Sequence, residues 1–179
     1  MLGKFGAVII GNACLLATAA AAAATPGQEG WTKVFISPEC KEWIYGPPIT
    51  QEDARNNPQD RPDYVLWNPA MAKPMAYRDP RTSIYFYVES DGRHIAAINT
   101  KGTLLWVRNP FEDAKLCPYR NGRPSVTSMR AIEFSKVMID GGLGRGLNLS
   151  HKFLEITFDS TQYGALDESN GDFLFWGEN

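Results

Sequence analysis

The chain has 179 residues, 44% of them hydrophobic, and 18 Lys and Arg stand against 20 Asp and Glu for a formal charge of −2. This length and apolar content suffice for one domain with a sizeable core. Because both signs of charge are interspersed and no basic run occurs, we expect no nucleic-acid binding, which depends on a basic face.

The first 24 residues have the pattern of a secretory signal. Lys4 precedes a short apolar run from Ala7 to Leu16, and the small residues from Ala19 to Ala24 offer cleavage sites. The run is too short to span a bilayer. We therefore expect residues 25–179 to form one periplasmic or secreted domain with no membrane span after signal cleavage. An uncleaved membrane anchor or an Ala-rich tail is the alternative.

Cysteine usage agrees with export. Cys14 lies within the predicted signal, which leaves Cys40 and Cys117 in the mature chain. An even count in an exported chain predicts one disulfide between them. Two buried free thiols are the alternative, because sequence separation does not tell whether the two Cα atoms lie within bridging distance.

Residues 25–82 are predicted to form a Pro-rich loop lobe. Eight of the twelve prolines lie from Pro38 to Pro80, a density that prevents long helices and interrupts central strands. Strands are expected over Trp31–Ile36 and Tyr64–Trp67, and a short helix is expected to begin at Thr50. A disordered linker would share the prolines, but the aromatic residues of this segment argue against it.

Residues 83–179 carry the stronger β signal, in two meanders. The first meander has strands over Ile84–Glu89, Ile95–Ile98 and Leu104–Val107, joined by turns at Asp91-Gly92 and Asn99–Gly102. The second has strands over Phe153–Phe158, Tyr163–Leu166 and Phe173–Trp176. This pattern predicts a mainly β fold, either an antiparallel sandwich or an open barrel, with at most one or two short helices.

The segment between the meanders is ambiguous. Over Val126–Met138 the apolar residues alternate as in a strand, yet Met129 and Ile132 also fit helical spacing. We favour a strand. The glycines from Gly141 to Gly146 predict a loop.

The closing hairpins of the two meanders share a motif. Ala165-Leu166-Asp167, Gly171 and Trp176 resemble the repeat of pyrroloquinoline-quinone-type β-propellers, and Ala97-Ile98-Asn99, Gly102 and Trp106 fit the same pattern more loosely. The two meanders also look like internal duplicates of each other, with chance similarity of two hairpins as the alternative. A propeller needs at least four blades, and no quinone-binding residue can be located. The whole chain also resembles small exported bacterial proteins of unassigned function, which implies no activity.

Most common catalytic motifs are missing from the sequence. No Gly-x-Ser-x-Gly nucleophile elbow, no pair of His at helical spacing and no phosphate-binding Gly-rich fingerprint occurs. We therefore expect neither a metal nor a cofactor. The segment Asp167–Asp172 superficially suggests a calcium loop, but its Gly falls at the fifth position and the distal Glu is missing. A hairpin turn accounts for it better.

One polar group could support acid–base chemistry. His151, Glu155 and Asp159 lie along one predicted strand region, where alternation could bring a base and an acid to one face. They are the candidate residues of an extracytoplasmic hydrolase. An exposed polar strand face without catalysis explains the same residues.

Aromatic residues are the second candidate group, and they favour binding over catalysis. Trp43, Trp67, Tyr77 and Tyr119 could stack against a carbohydrate or anchor a protein partner. Trp106 and Trp176 are expected to build the core. The preferred interpretation is an exported, non-catalytic binding module whose ligand is an unidentified protein or carbohydrate.

Overall fold

The computed structural model of the chain describes residues 30–46 and 62–178. In these ranges the chain is mainly β, as predicted. The strands are β1 (Thr32–Phe35), β2 (Tyr64–Trp67), β3 (Met75–Arg78), β4 (Tyr85–Val88), β5 (Ile95–Ile98), β6 (Leu104–Arg108), β7 (Val126–Ile132), β8 (Phe153–Phe158), β9 (Gln162–Asp167) and β10 (Phe173–Glu178). The short helices are α1 (Lys41–Tyr45), α2 (Pro110–Asp113) and α3 (Lys136–Asp140).

The predictions for residues 1–24 and for a helix at Thr50 lie outside the described residues. None of the described helices is long and apolar enough to cross a membrane.

Each predicted meander becomes three neighbouring strands of a four-stranded antiparallel sheet. The first sheet has the order β3-β4-β5-β6, and the second has the order β10-β9-β8-β7. The first sheet gains β3, whose sequence we had assigned to the Pro-rich lobe. Register places Phe86 opposite Ala97, and Ala97 opposite Trp106, on one face of the first sheet.

The closing turns of the two meanders have similar backbones. Gly102 and Gly171 both have a φ of +77°, the left-handed conformation that favours glycine. The Asn99 side chain accepts hydrogen bonds from the backbone N–H groups of Lys101 and Thr103, and the Asp167 side chain accepts one from Ser169 N–H. The turns at Asn99–Gly102 and Asp167–Gly171 are therefore hairpin turns, as their residues predicted.

The core lies between the two sheets, so the fold is a β-sandwich. Buried side chains from both sheets form one cluster, which includes Phe86, Val88, Ile95, Ala97 and Trp106 from the first sheet and Met129, Leu154, Ile156, Phe158 and Leu166 from the second. Burial of each large apolar side chain stabilises the fold by about 1.5–3 kcal/mol. Trp106 lies in this cluster, while Trp176 is half-buried and packs edge-on against Phe134 and Tyr163.

The strand that we favoured over Val126–Met138 ends early. β7 stops at Ile132, and α3 begins at Lys136 after Ser135, whose hydroxyl accepts a hydrogen bond from Met138 N–H. Ser at this position is a strong helix start. The segment Val126–Met138, whose pattern fitted both a strand and a helix, therefore contains a strand and the beginning of a helix.

The described part of the Pro-rich lobe forms a small unit of its own. β1 and β2 pair as a two-stranded antiparallel sheet, with Val34 opposite Val65. α1 follows β1 after a turn of 3₁₀-helix at Pro38–Cys40. Cys40 and Cys117 form the predicted disulfide, with their Cα atoms 5.1 Å apart. The disulfide therefore ties the lobe to the segment between α2 and β7.

Candidate functional site

A cavity of about 580 Å³ lies where α1 meets the segment after Cys117. We call it the aromatic cavity. Its described lining includes Trp43, Tyr119 and Arg120, with Glu42 at one side. Trp43 is 44% exposed although it is among the largest apolar side chains of the chain. Two of the four predicted binding aromatics therefore meet in one cavity.

The two walls of the aromatic cavity are held together by covalent and backbone bonds. Cys40 immediately precedes α1, which carries Trp43, and its disulfide partner Cys117 lies two residues before Tyr119. Arg120 N–H donates to the Trp43 carbonyl at 3.0 Å. Trp43 and Tyr119 consequently face a cavity whose two sides are tied together, so that less conformational entropy is lost on binding.

A neighbouring cavity of about 560 Å³ contains the third predicted aromatic, Trp67. We call it the Trp67 cavity. It shares Ile44, Tyr45 and Arg120 with the aromatic cavity, so the two are adjacent. The guanidinium of Arg123 lies 4.2 Å from the centre of the Trp67 ring, in cation–π contact. One face of Trp67 is thus already covered by a cation.

Asp159 lies at the Trp67 cavity. Its carboxylate accepts hydrogen bonds from Ser125 N–H at 2.9 Å and from the Asn121 side-chain amide at 2.8 Å. Desolvation raises the pKa of Asp159 although these hydrogen bonds act in the opposite direction. Asp159 thus supplies a carboxyl group beside Trp67, and it orders the loop that carries Asn121.

The fourth predicted binding aromatic has a different environment. The Tyr77 hydroxyl accepts a hydrogen bond from Ala131 N–H at 3.0 Å, and its ring packs against the core. This contact joins β3 of the first sheet to β7 of the second. Tyr77 therefore lies apart from the two cavities and links the sheets.

The three predicted acid–base residues do not converge. His151 precedes β8 and Asp159 follows it, so a strand of six residues, about 20 Å long, separates them. Glu155 lies in the middle of β8, where its carboxylate accepts two hydrogen bonds of 2.8 Å from Arg130 of β7. Each of the three side chains has separate partners.

His151 instead contacts a carboxylate that our sequence analysis had assigned only to a turn. Its Nδ1 lies 2.6 Å from Asp167 Oδ2 and 3.3 Å from Ser169 Oγ, and its Nε2 lies 2.9 Å from the Asn148 side-chain amide. Hydrogen bonds from Ser169 and His151 hold the pKa of Asp167 below its usual range, although desolvation opposes them. The pair resembles an oriented histidine–carboxylate dyad.

A buried ionic network escaped the sequence analysis. Arg81, in the turn between β3 and β4, donates to both Asp79 and Glu168, and Glu168 also accepts a hydrogen bond from the Thr82 hydroxyl at 2.7 Å. Asp79 is 0% and Glu168 1% exposed. Arg81 also donates to the Ile132 and Phe153 carbonyls, in the second sheet. We call this group the Arg81 network.

The pKa values of the two carboxyl groups of the Arg81 network are shifted in opposite directions. Desolvation and the hydrogen bond shared with Asp79 raise the pKa of Glu168 to about 7. Desolvation also acts on Asp79, but hydrogen bonds from Arg81 and Glu168 outweigh it and lower its pKa to about 2. Asp79, Arg81 and Thr82 lie in one turn, but Glu168 lies 87 residues from Arg81 along the chain, so no local sequence signal indicated that it joins them.

The described residues contain no group of three or more His, Cys, Asp and Glu side chains arranged to hold a metal ion. The comparisons with known proteins give no relative: no family model, curated protein or solved structure matches the chain. The functional proposal below is therefore based on the geometry of the cavities and side-chain clusters described above.

Proposed function

We propose that this chain is an exported, non-catalytic module that binds a saccharide in the aromatic cavity. The observation that carries the proposal is the exposure of Trp43, which is 44%, inside a cavity that it shares with Tyr119 and Arg120. Covering the exposed part of such a large apolar ring with a ligand is favourable, because it removes apolar surface from water. A sugar ring has apolar faces that stack on flat aromatic side chains.

Polar groups around Trp43 suit the hydroxyl groups of a sugar. Glu42 and Arg120 line the same cavity, and Asn121 and Asp159 line the adjacent Trp67 cavity. A binding site with a few convergent hydrogen-bonding groups on an apolar floor is typical for small polar ligands. A flat protein interface would not require this mixture within a concave surface.

Export is supported by the disulfide and by the predicted signal over residues 1–24. A disulfide such as Cys40–Cys117 persists in oxidising compartments and is rare in the cytosol. We therefore place the protein in the periplasm or outside the cell. Mass spectrometry of the protein recovered from those fractions should give a mature chain without the signal; a full-length chain in the cytosol with free thiols would contradict export.

Titration calorimetry against a panel of soluble oligosaccharides tests the saccharide proposal. We expect saturable binding, and we expect Trp43→Ala to weaken it about fivefold or more, since stacking on an aromatic ring contributes about 1 kcal/mol or more. Trp31→Ala is the matched control, because Trp31 is 38% exposed and does not line either cavity in the described residues.

Three outcomes would overturn the saccharide proposal. One is that no oligosaccharide of the panel binds. The second is that Trp31→Ala weakens binding as much as Trp43→Ala does. The third is that a purified protein partner binds through Trp43 while saccharides do not.

Hydrolysis at His151 is the second candidate, and the short contact between His151 and Asp167 favours it. A carboxylate that orients a histidine is a common arrangement for a general base. In this hydrolase hypothesis the carboxylate that orients His151 is Asp167 and not Asp159, which the sequence had suggested. Release of product from ester or glycoside substrates, lost in His151→Gln with the fold intact, would support the hydrolase; an equal rate in His151→Gln would refute it.

A further inference from the structure

Two arginines line a third cavity, of about 420 Å³, between the lobe and the sandwich. We call it the arginine cavity. Arg93, in the turn before β5, is only 6% exposed, and Arg123 lies in the segment before β7. Arg123 also lines the Trp67 cavity. The arginine cavity therefore adjoins the Trp67 cavity, which in turn adjoins the aromatic cavity.

Both guanidinium groups have unused hydrogen-bonding capacity. The Nε atoms of Arg93 and Arg123 are buried and have no hydrogen-bond partner. A buried donor without a partner costs about 1–3 kcal/mol, and more when it is charged. Native proteins rarely leave such donors unpaired, so two of them in one cavity require an explanation.

Aromatic rings cover the flat faces of both guanidinium groups. Arg93 lies 4.9 Å from the centre of the Phe111 ring, and Arg123 lies 4.2 Å from that of Trp67. Stacking of this kind fixes the plane of a guanidinium and leaves its N–H edge for in-plane hydrogen bonds. That edge matches the two oxygens of a carboxylate or a sulfate.

The lining of the arginine cavity has three cations, Arg93, Lys115 and Arg123, and two anions, Glu39 and Glu112. Desolvation, together with the positive charge of Arg123, lowers the pKa of Arg93, so the two cations repel each other. The Glu112 carboxylate lies 3.3 Å from Arg93 Nη1, but its side chain is 61% exposed and compensates only in part. Asp91 and Asp159 act on Arg93 from further away, while Lys115 adds a cation to the lining and Glu39 an anion.

We propose that Arg93 and Arg123 form an oxyanion site that binds the carboxylate or sulfate group of an acidic saccharide whose neighbouring sugar lies in the Trp67 and aromatic cavities. The inference of an oxyanion site depends only on the two arginines. The inference that the anion belongs to a saccharide rests on the proposed function. The anion pairs with the Nε–Nη edges, which need a small side-chain shift to receive it, and it neutralises the repulsion between the cations. Acidic sugars are thereby favoured over neutral ones.

The oxyanion site is tested first with simple anions. Sodium sulfate and sodium glucuronate are titrated into the purified chain at constant ionic strength, and binding is followed by calorimetry. We expect saturable binding of at least one anion. Arg123→Lys keeps the charge but removes the two-pronged donor edge, so we expect at least about tenfold weaker binding, and we expect none in Arg93→Met.

Arg78→Gln is the matched control, because Arg78 is exposed and its guanidinium lies 5.2 Å from the Tyr85 ring. It should leave anion binding unchanged. Equal responses of the wild type, Arg123→Lys and Arg78→Gln would overturn the oxyanion site, as would the absence of saturable binding. Circular dichroism checks that each variant is folded; should Arg93→Met unfold, Arg123→Lys alone decides.

A second comparison separates the oxyanion site from the saccharide proposal. Acidic and neutral oligosaccharides of equal length are titrated, together with sulfate alone. If the acidic oligomer binds about tenfold more tightly than the neutral one, and Arg123→Lys abolishes this difference, the full proposal is supported. Comparison of a carboxylated with a sulfated oligomer then shows which of the two acidic groups the site prefers. Equal affinity for acidic and neutral oligomers overturns the acidic preference alone. Sulfate binding without any oligosaccharide binding overturns the saccharide proposal and leaves the oxyanion site.

Discussion

Arg81 Nη2 donates a hydrogen bond to Glu168 Oε1 at 2.7 Å, and the same nitrogen lies 2.5 Å from Asp79 Oδ2. One buried cation therefore serves two buried carboxyl groups. Since a single positive charge compensates only one of them, the pKa of the other is raised, and Glu168 is that group. This relationship joins the turn after β3 to the turn after β9, and so joins the two sheets.

The raised pKa of Glu168 predicts that stability falls as pH rises from about 4.5 to about 7. In that range the folded protein binds a proton that the unfolded chain has released, so the free energy of unfolding decreases with pH. The shift corresponds to roughly 3 kcal/mol. Urea unfolding at intervals between pH 4 and pH 8 measures it. The pKa of Asp79 is shifted in the opposite direction, so Asp79 contributes to stability above about pH 4 and loses that contribution as the pH falls towards 2.

Glu168→Gln should remove most of the decrease between pH 4.5 and 7, because the amide oxygen can still accept from Arg81 and the side chain has no proton to lose. Glu155→Gln is the control, since Glu155 pairs with Arg130 at the surface of the sheet. A decrease of equal size in wild type and Glu168→Gln would contradict our assignment of the proton.

The disulfide should contribute about 4 kcal/mol to stability, because it closes a loop of 77 residues in the unfolded chain. We expect the double variant Cys40→Ala and Cys117→Ala to lose that much in denaturant unfolding. Ligand binding at Trp43 should weaken as well, since the bond ties the two walls of the aromatic cavity together. Unchanged affinity in the folded double variant would show that the backbone contact between Arg120 and Trp43 suffices.

Gly102 and Gly171 form a matched pair of sites. Both have a φ of +77°, so alanine at either costs about 1–2 kcal/mol of backbone strain. A Cβ at Gly102 meets nothing within 4 Å, whereas one at Gly171 would lie 2.5 Å from Arg108 Cγ and 2.8 Å from the Trp106 ring. Gly171→Ala should therefore cost about 1–3 kcal/mol more than Gly102→Ala in urea unfolding. Equal losses would contradict the close packing of the second turn on Trp106.

Tyr77→Phe separates a structural role from a binding role. Loss of the hydroxyl leaves the Ala131 N–H without its partner, so we expect a loss of about 1–3 kcal/mol in unfolding free energy. Saccharide affinity should be unchanged, because Tyr77 lies apart from both cavities. Weaker binding at full stability would instead place Tyr77 in the site, as its sequence suggested.

Sequence and structure agree best where the information is local. The turns at Asn99–Gly102 and Asp167–Gly171 were predictable because a side-chain acceptor followed by a left-handed Gly specifies a hairpin within a few residues. The disulfide followed from the number of cysteines. In contrast, β3 was missed because its four residues lie among prolines, and its pairing with β4 outweighs their weak local preference.

The sequence by itself determined the β meanders, the turn chemistry and the pair of cysteines, because these depend on side-chain alternation, backbone preference and composition. Only the tertiary structure decided which side chains meet. It brought Trp43 to Tyr119, Arg93 to Arg123 and Arg81 to Glu168, and it separated His151 from Asp159. Contacts between distant turns arise from how the two sheets and the lobe pack, and that packing has no signature within any short segment.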